Sequence, residues 1–210
     1  MRVRLIPLFA LLLAVAPVPK DVIRVRLVTS AGPIVLALDA RHAPLTTANF
    51  LAYVDDGRFE GTYFYRASRR KAQPTLGLIE GGVGMDARRK LAPVKLEPTD
   101  RTGLHHLNGT VSMAHGPDPD SANGNFSIMV GDTPSLDAHR TDRGFAAFGR
   151  VVSGMDVVRR ILALPSGGGG DVMRGEIILK PVTILRAERL DGTSHPTGHV
   201  KPWLLGLPSS

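Results

Sequence analysis

"VIRVRLVTSAGPIVLALD", residues 22–39, reads as two β-branched strands joined at Ser30-Ala31-Gly32-Pro33. In the first, Val22, Arg24, Arg26 and Val28 alternate with Ile23, Val25 and Leu27, which makes one face apolar and the other mostly polar. Such a pair is a hairpin at the start of an antiparallel sheet. "APLTTANFLAYVDDG" (43–57) changes period: Leu45, Ala48, Leu51, Ala52 and Val54 recur at helical spacing, with Pro44 near the start and Gly57 as a stop. This predicts an amphipathic helix of about three turns. Its apolar stripe must cover an open end or face of the sheet.

Further strands are expected at 63–67, 76–81, 109–114, 124–130 and 145–152, with a weaker one around 94–96. Residues 153–164 predict a second helix, with Met155, Val158, Ile161 and Leu162 on one face. Residues 175–190 supply the last one or two strands, and Pro181 limits central pairing there. The expected fold class is mainly β: a closed eight-stranded antiparallel barrel capped by two α-helices, because closure removes sheet edges. "SGGGG" (166–170) is a flexible loop; it follows a helix and lacks the phosphate-binding G-x-x-x-x-G-K-[ST] pattern.

The 210 residues, 43% hydrophobic and 21% charged, suit one domain with a full core. "MRVRLIPLFALLLAVAPVPK" has a basic start, an apolar run from Leu5 to Ala16 and a small-x-small end. The run is too short to span a bilayer and reads as a secretory signal peptide over 1–19. Pro17 directly after Ala16 is awkward for cleavage there, so an uncleaved anchor stays open. The domain then covers 20–190 and a Pro/Gly-rich flexible tail 191–210, with Trp203 and Leu204 as the residues able to wrap it onto the domain.

With no cysteine, disulfides, thiol nucleophiles and thiolate metal sites are excluded. The seven His show no metal-ligand spacing, and adjacent His105 and His106 would point to opposite faces of a strand. The net charge of +7 raises nucleic acid as a partner. Yet Arg69-Arg70-Lys71 and Arg88-Arg89-Lys90 lack interleaved aromatics, and solvated loops are the better reading.

Taken together, "GPIVLALDARHAPLTTANFLAYVDDGRFEGTYFYR", "IEGG", "GLHHLNGTVSMAHGPDPDSANGNFSIMV", "SLD" and "FAAFGRVVSGMDVVRRI" resemble, in that order, the cyclophilin family of peptidyl-prolyl cis-trans isomerases. The "DPDSA" loop most resembles bacterial, often periplasmic, members. The resemblance runs over residues 22–188. It implies an eight-stranded barrel with two capping helices and isomerisation of Xaa-Pro bonds. It also implies proline-containing polypeptide substrates and a reaction without cofactor; no metal, no nucleic acid, no stable membrane insertion and a monomer are the accompanying expectations. The compartment expected from the leader is periplasmic or extracellular, with exported chains as folding clients.

Twisting an Xaa-Pro bond loses amide resonance against a barrier of roughly 18–20 kcal/mol, with no bond broken. A held proline ring, an anchored carbonyl and a donor aimed at the emerging nitrogen lone pair are what help. Arginine suits the last task because its guanidinium stays charged. The resemblance places the catalytic arginine at Arg66, closing Phe64-Tyr65-Arg66. Strict alternation would put Arg66 on the face of Phe64, so the strand must bend or end there.

The implied peptide site departs from the family. Tyr65 stands where most members have His; Gly77, Leu78 and Glu80 stand for Phe-Met-x-Gln; Asn125 replaces a glutamine and Ser127 a pocket-wall phenylalanine; Ser135 replaces an aromatic. Ala114 and His115 match a peptide-holding pair, and Leu136, Phe145 and Met129 are candidates to line a reshaped pocket beside Tyr65. Expected substrate-binding residues are therefore Tyr65, Leu78, Glu80, Ala114, His115, Asn125, Ser127, Leu136 and Phe145. The alternative is a cyclophilin-fold binding module or chaperone with weakened turnover, since lost aromatic walls cost about 1.5–3 kcal/mol each.

Overall fold

Strands β1 (Val22–Thr29) and β2 (Gly32–Asp39) bury Val25, Leu27, Ile34, Leu36 and Leu38 completely, as their alternation requires. The structure, a computed structural model, describes residues 21–205. The leader reading at 1–19 and tail residues 206–210 lie outside the described residues. Thr29 pairs directly with Gly32. Its hydroxyl closes the turn, donating to the Gly32 carbonyl at 2.6 Å and accepting from the Ala31 amide at 3.1 Å. Gly32 has φ +124°, a backbone region that side chains disfavour.

Helix α1 (Pro44–Asp55) forms where expected but rolls its stripe. The buried positions are Thr46, Thr47, Phe50, Leu51, Tyr53 and Val54, while Leu45 is half exposed and Ala48 faces solvent. Two threonines can be buried because their hydroxyls are bonded, Thr46 to Glu97 at 2.6 Å and Thr47 to the Asp39 carbonyl at 3.2 Å. Glu97 also accepts the first-turn amides of Leu45 and Thr46, a carboxylate at the positive end of the helix.

The remaining elements are β3 (Thr62–Arg70), β4 (Gln73–Gly82), the single turn α2 (Thr99–Thr102), β5 (Thr110–Met113), β6 (Asn125–Val130), β7 (Ala146–Ser153), α3 (Met155–Leu162), β8 (Ser166–Gly167) and β9 (Ile177–Arg189). Eight strands close in the order β1-β2-β7-β5-β6-β4-β3-β9, and β9 returns to β1. All pairings are antiparallel; the two-residue β8 is an addition on β9. Phe50 reaches from α1 into the barrel, with ring centroids 5.0–5.3 Å from Phe59, Phe126 and Phe148. From the other end, α3 buries Val157, Val158, Ile161 and Leu162.

Several local expectations change. The segment at 94–96 makes one bridge, Val94 to Ala122, and is no strand. Residues 67–76 are no loop: β3 runs through Arg70 and β4 starts at Gln73. The two arginines of its basic cluster are bonded rather than solvated, while Lys71 is exposed. Arg69 donates to the Leu162 and Leu164 carbonyls, at 2.5 and 2.9 Å, filling acceptors left open at the end of α3. Arg70 donates to the Asp132 carbonyl and to Thr133. His105 and His106 lie outside any strand and converge on Asp137 through their Nδ1 atoms, at 2.9 and 2.5 Å. Pro181 sits where β9 leaves the β3 ladder, between the Phe64–Val182 and Arg66–Ile177 pairs.

Candidate active site

Phe64 pairs with Gly81 across β3 and β4, and Arg66 pairs with Glu80, so Tyr65 is an extra, unpaired residue. This is a β-bulge, and it resets the alternation. Phe64 and Ala67 point into the core, whereas both residues between them point out. Gly81 permits the arrangement: a Cβ there would lie 2.7 Å from the Phe64 ring.

On the outer face Arg66 is held from three sides. Its Nε donates to Glu176 at 2.7 Å, one terminal nitrogen to Glu80 at 2.9 Å, and the other to the Val172 carbonyl at 3.3 Å. Burial alone would pull the guanidinium pKa down, but the carboxylates of Glu176 and Glu80 raise it above its ordinary value. Of the five guanidinium N–H groups, three carry these bonds and two carry none among the described residues. Glu80 also accepts the Tyr65 hydroxyl at 2.7 Å. Burial, then the Glu80 charge, push the Tyr65 phenol well above its usual range, so it stays a neutral donor.

Beside this cluster runs a groove of about 940 Å³. Tyr63, Tyr65, Met173 and Ile177 give it apolar surface; Glu80, Gly82, Ala114, His115 and Asn125 line it, and residues 83–90 form a wall. The wall is tied down by Asn125, whose Oδ1 accepts the Gly84 amide at 2.7 Å and whose Nδ2 donates to the Gly84 carbonyl at 3.2 Å. His115 stacks on Phe145, centroids 4.3 Å apart, with its ring nitrogens against the Gly116 and Gly144 carbonyls.

The family described as "Cyclophilin type peptidyl-prolyl cis-trans isomerase/CLD" matches residues 24–189. The chain belongs to the cyclophilins. Peptidyl-prolyl cis-trans isomerase A of Dickeya dadantii (strain 3937) is 39% identical over 166 residues, 78% of this chain and 83% of that protein. Peptidyl-prolyl cis-trans isomerase cyp18 of Streptomyces antibioticus is 39% identical over 170 residues, 77% of this chain and 98% of that protein. Among solved structures, a cyclophilin from Cryptosporidium parvum superposes with TM-score 0.63 at 19% identity, covering 82% of this chain and 99% of that one. The same protein solved in the presence of the dipeptide Ala-Pro gives 0.62 at 20% identity, covering 80% of this chain and 99% of that one. The chain is accordingly a peptidyl-prolyl cis-trans isomerase of cyclophilin type.

Within this cyclophilin, the fold gathers Tyr65, Glu80, Ala114, His115 and Asn125 around the groove; Arg66 does not line it and is joined to it through its bond to Glu80. Leu78, Ser127, Leu136 and Phe145 do not line it. Leu78 pairs with Met129 and Ser127 with Glu80 in the β4–β6 ladder, and Met129 is fully buried. Leu136 and Phe145 meet each other through a backbone bond of 3.0 Å, and Phe145 reaches the groove only by way of His115. Sequence reasoning missed Glu176, Met173 and Ile177, which enter from the glycine-rich loop and the start of β9. Nothing in the local sequence links Glu176 to Arg66, 110 residues away.

Proposed function

We propose that this cyclophilin isomerises Xaa-Pro bonds of exported polypeptides and assists their folding in the periplasm or outside the cell, with Arg66 as the catalytic donor. The observation that carries the reading is the bulge at Tyr65, which turns Arg66 outward, with two N–H groups uncommitted among the described residues, onto the Glu80 that lines the open groove. The leader at 1–19 supports export. Among the described residues no helix is long and apolar enough to cross a membrane.

The chemistry needs no proton transfer. As the amide twists, its nitrogen becomes pyramidal and gains a lone pair, and a guanidinium N–H directed at that atom binds the twisted form better than either planar isomer. Glu80 and Glu176 keep the guanidinium charged and oriented. Tyr65, Met173 and Ile177 offer apolar surface to the substrate, while Ala114, His115 and Asn125 border the path of its backbone. The dipeptide present with the Cryptosporidium relative supports a small Xaa-Pro unit as ligand.

The test is isomerisation of a short Ala-Pro peptide by NMR exchange, comparing wild type with Arg66→Ala, alongside N-terminal mass analysis of the exported protein. Acceleration lost in the variant and a mature chain lacking the leader are the expected results. The double carboxylate hold on Arg66 favours, as second reading, a binding module with little turnover. Peptide binding without acceleration by wild type is its signature.

A further inference from the structure

We propose that Trp203, on the C-terminal strap, is a positioning residue that sets the groove wall at 86–90 and thereby the affinity for peptide. Past β9 the chain turns back over the end of α1. Asp191 takes Arg24 with two bonds of 2.8 Å, the His195 amide donates to Asp55 at 3.0 Å, and the Thr197 amide and hydroxyl donate to Asp56 at 2.7 and 2.6 Å. Those anchors deliver a short 3-10 turn, Pro202–Leu204. There two guanidiniums lie over the Trp203 ring, Arg58 4.9 Å and Arg89 5.0 Å from its centroid.

The two arginines are differently placed. Arg58 is fully buried and bonded to Asp56 at 2.7 Å, so it is a fixed post. Arg89 belongs to the wall and lines the groove. The pair is cross-tied: Arg58 donates to the Arg89 carbonyl at 3.1 Å, and Arg89 donates to the Arg58 and Glu60 carbonyls, both at 2.9 Å. Each guanidinium also has its own carboxylate, Asp56 for Arg58 at 2.7 Å and Asp86 for Arg89 at 3.4 Å, and the electron-rich indole face attracts both cations. Trp203 therefore holds Arg89 against the post. Among the described residues the strap has no bond to Arg66, whose partners are Glu80, Glu176 and the Val172 carbonyl. Its influence falls on binding rather than on the isomerisation step.

The inference rests on the groove being the peptide site, and the experiment separates the two. Full-length wild type, Trp203→Ala and Trp203→Phe are titrated with an Ala-Pro tetrapeptide while NMR follows the groove amides, and KM and kcat are measured separately. Trp203→Ala is expected to raise KM and Kd roughly three- to tenfold, with kcat within about twofold and faster amide exchange at Arg89 and Lys90; Trp203→Phe restores most of the affinity. Unchanged KM, or a fall in kcat alone, overturns the role of Trp203. If peptide shifts no amide at Ala114 or Asn125 in wild type, the groove assignment itself fails, and the strap's role in binding with it.

Discussion

The hairpins β1–β2 and β3–β4 are built from similar strand chemistry and do opposite work. The first stays in register from Val22–Asp39 to Thr29–Gly32 without a break. Every second residue is core, and its outward arginines pair with carboxylates at the surface, Arg24 with Asp191 and Arg26 with Glu188. The second breaks register twice, at Tyr65 and between Arg69 and Arg70. The first break presents Arg66, and near the second the hairpin tip is bonded to α3 and the 131–136 segment. A regular ladder makes a wall; a ladder with one extra residue aims a side chain that alternation would have buried.

The sharpest way to break this comparison is Arg66→Ala. Isomerisation of an Ala-Pro peptide should fall on the order of 10²–10³-fold while circular dichroism remains that of a folded barrel. Near-wild-type turnover would remove the irregular hairpin's claim to the chemistry. The reciprocal change in the regular hairpin, Leu36→Ala, should cost about 2–5 kcal/mol in urea unfolding, because Leu36 is fully buried, and leave kcat of the folded fraction unchanged.

Gly81→Ala tests the bulge itself. A methyl pressed against the Phe64 ring should cost about 1–3 kcal/mol and lower kcat together with stability. A silent substitution would show that Gly81 is not what permits the inward turn of Phe64.

The smallest effect concerns acid. Burial lowers the His106 pKa below its ordinary 6.5, and Asp137 only partly opposes this. The unfolded chain therefore takes up a proton that the folded histidine resists, so stability falls as pH drops below about 6.5. Asp137, held below the ordinary carboxylate value by its histidine bonds despite burial, adds its own loss only at lower pH, below 3.8. Urea midpoints at about pH 7.5 and 5.5 should separate in wild type and draw together in His106→Asn. Equal separation in both proteins would place the titration elsewhere.

What was legible in the sequence follows from range. Alternation in 22–39 and the helical period of 155–162 act between near neighbours, so the closed β architecture and both capping helices were readable. The resemblance brought Arg66 and the Ala114–His115 pair. The roll of α1 was not readable, because Thr46 and Thr47 look polar until Glu97 and the Asp39 carbonyl arrive to bond them. Nor were the arginine clusters: a guanidinium reads as solvated unless the carbonyls that accept it, on α3 for Arg69 and around Arg58 for Arg89, are known.

By itself, then, the sequence determined periodicity and hence which faces are apolar, which residues turn the chain, and that an arginine follows two aromatics in a strand, though that strand runs on to Arg70 instead of ending at Arg66. Tertiary structure alone decided that Tyr65 bulges, that Glu80 and Glu176 grip Arg66 from separate strands and loops, and that Trp203 closes over Arg58 and Arg89. The reason is physical. Hydrophobic period is a property of adjacent residues, whereas a bulge and the pairing of buried charges depend on partners that only chain closure brings within bonding distance.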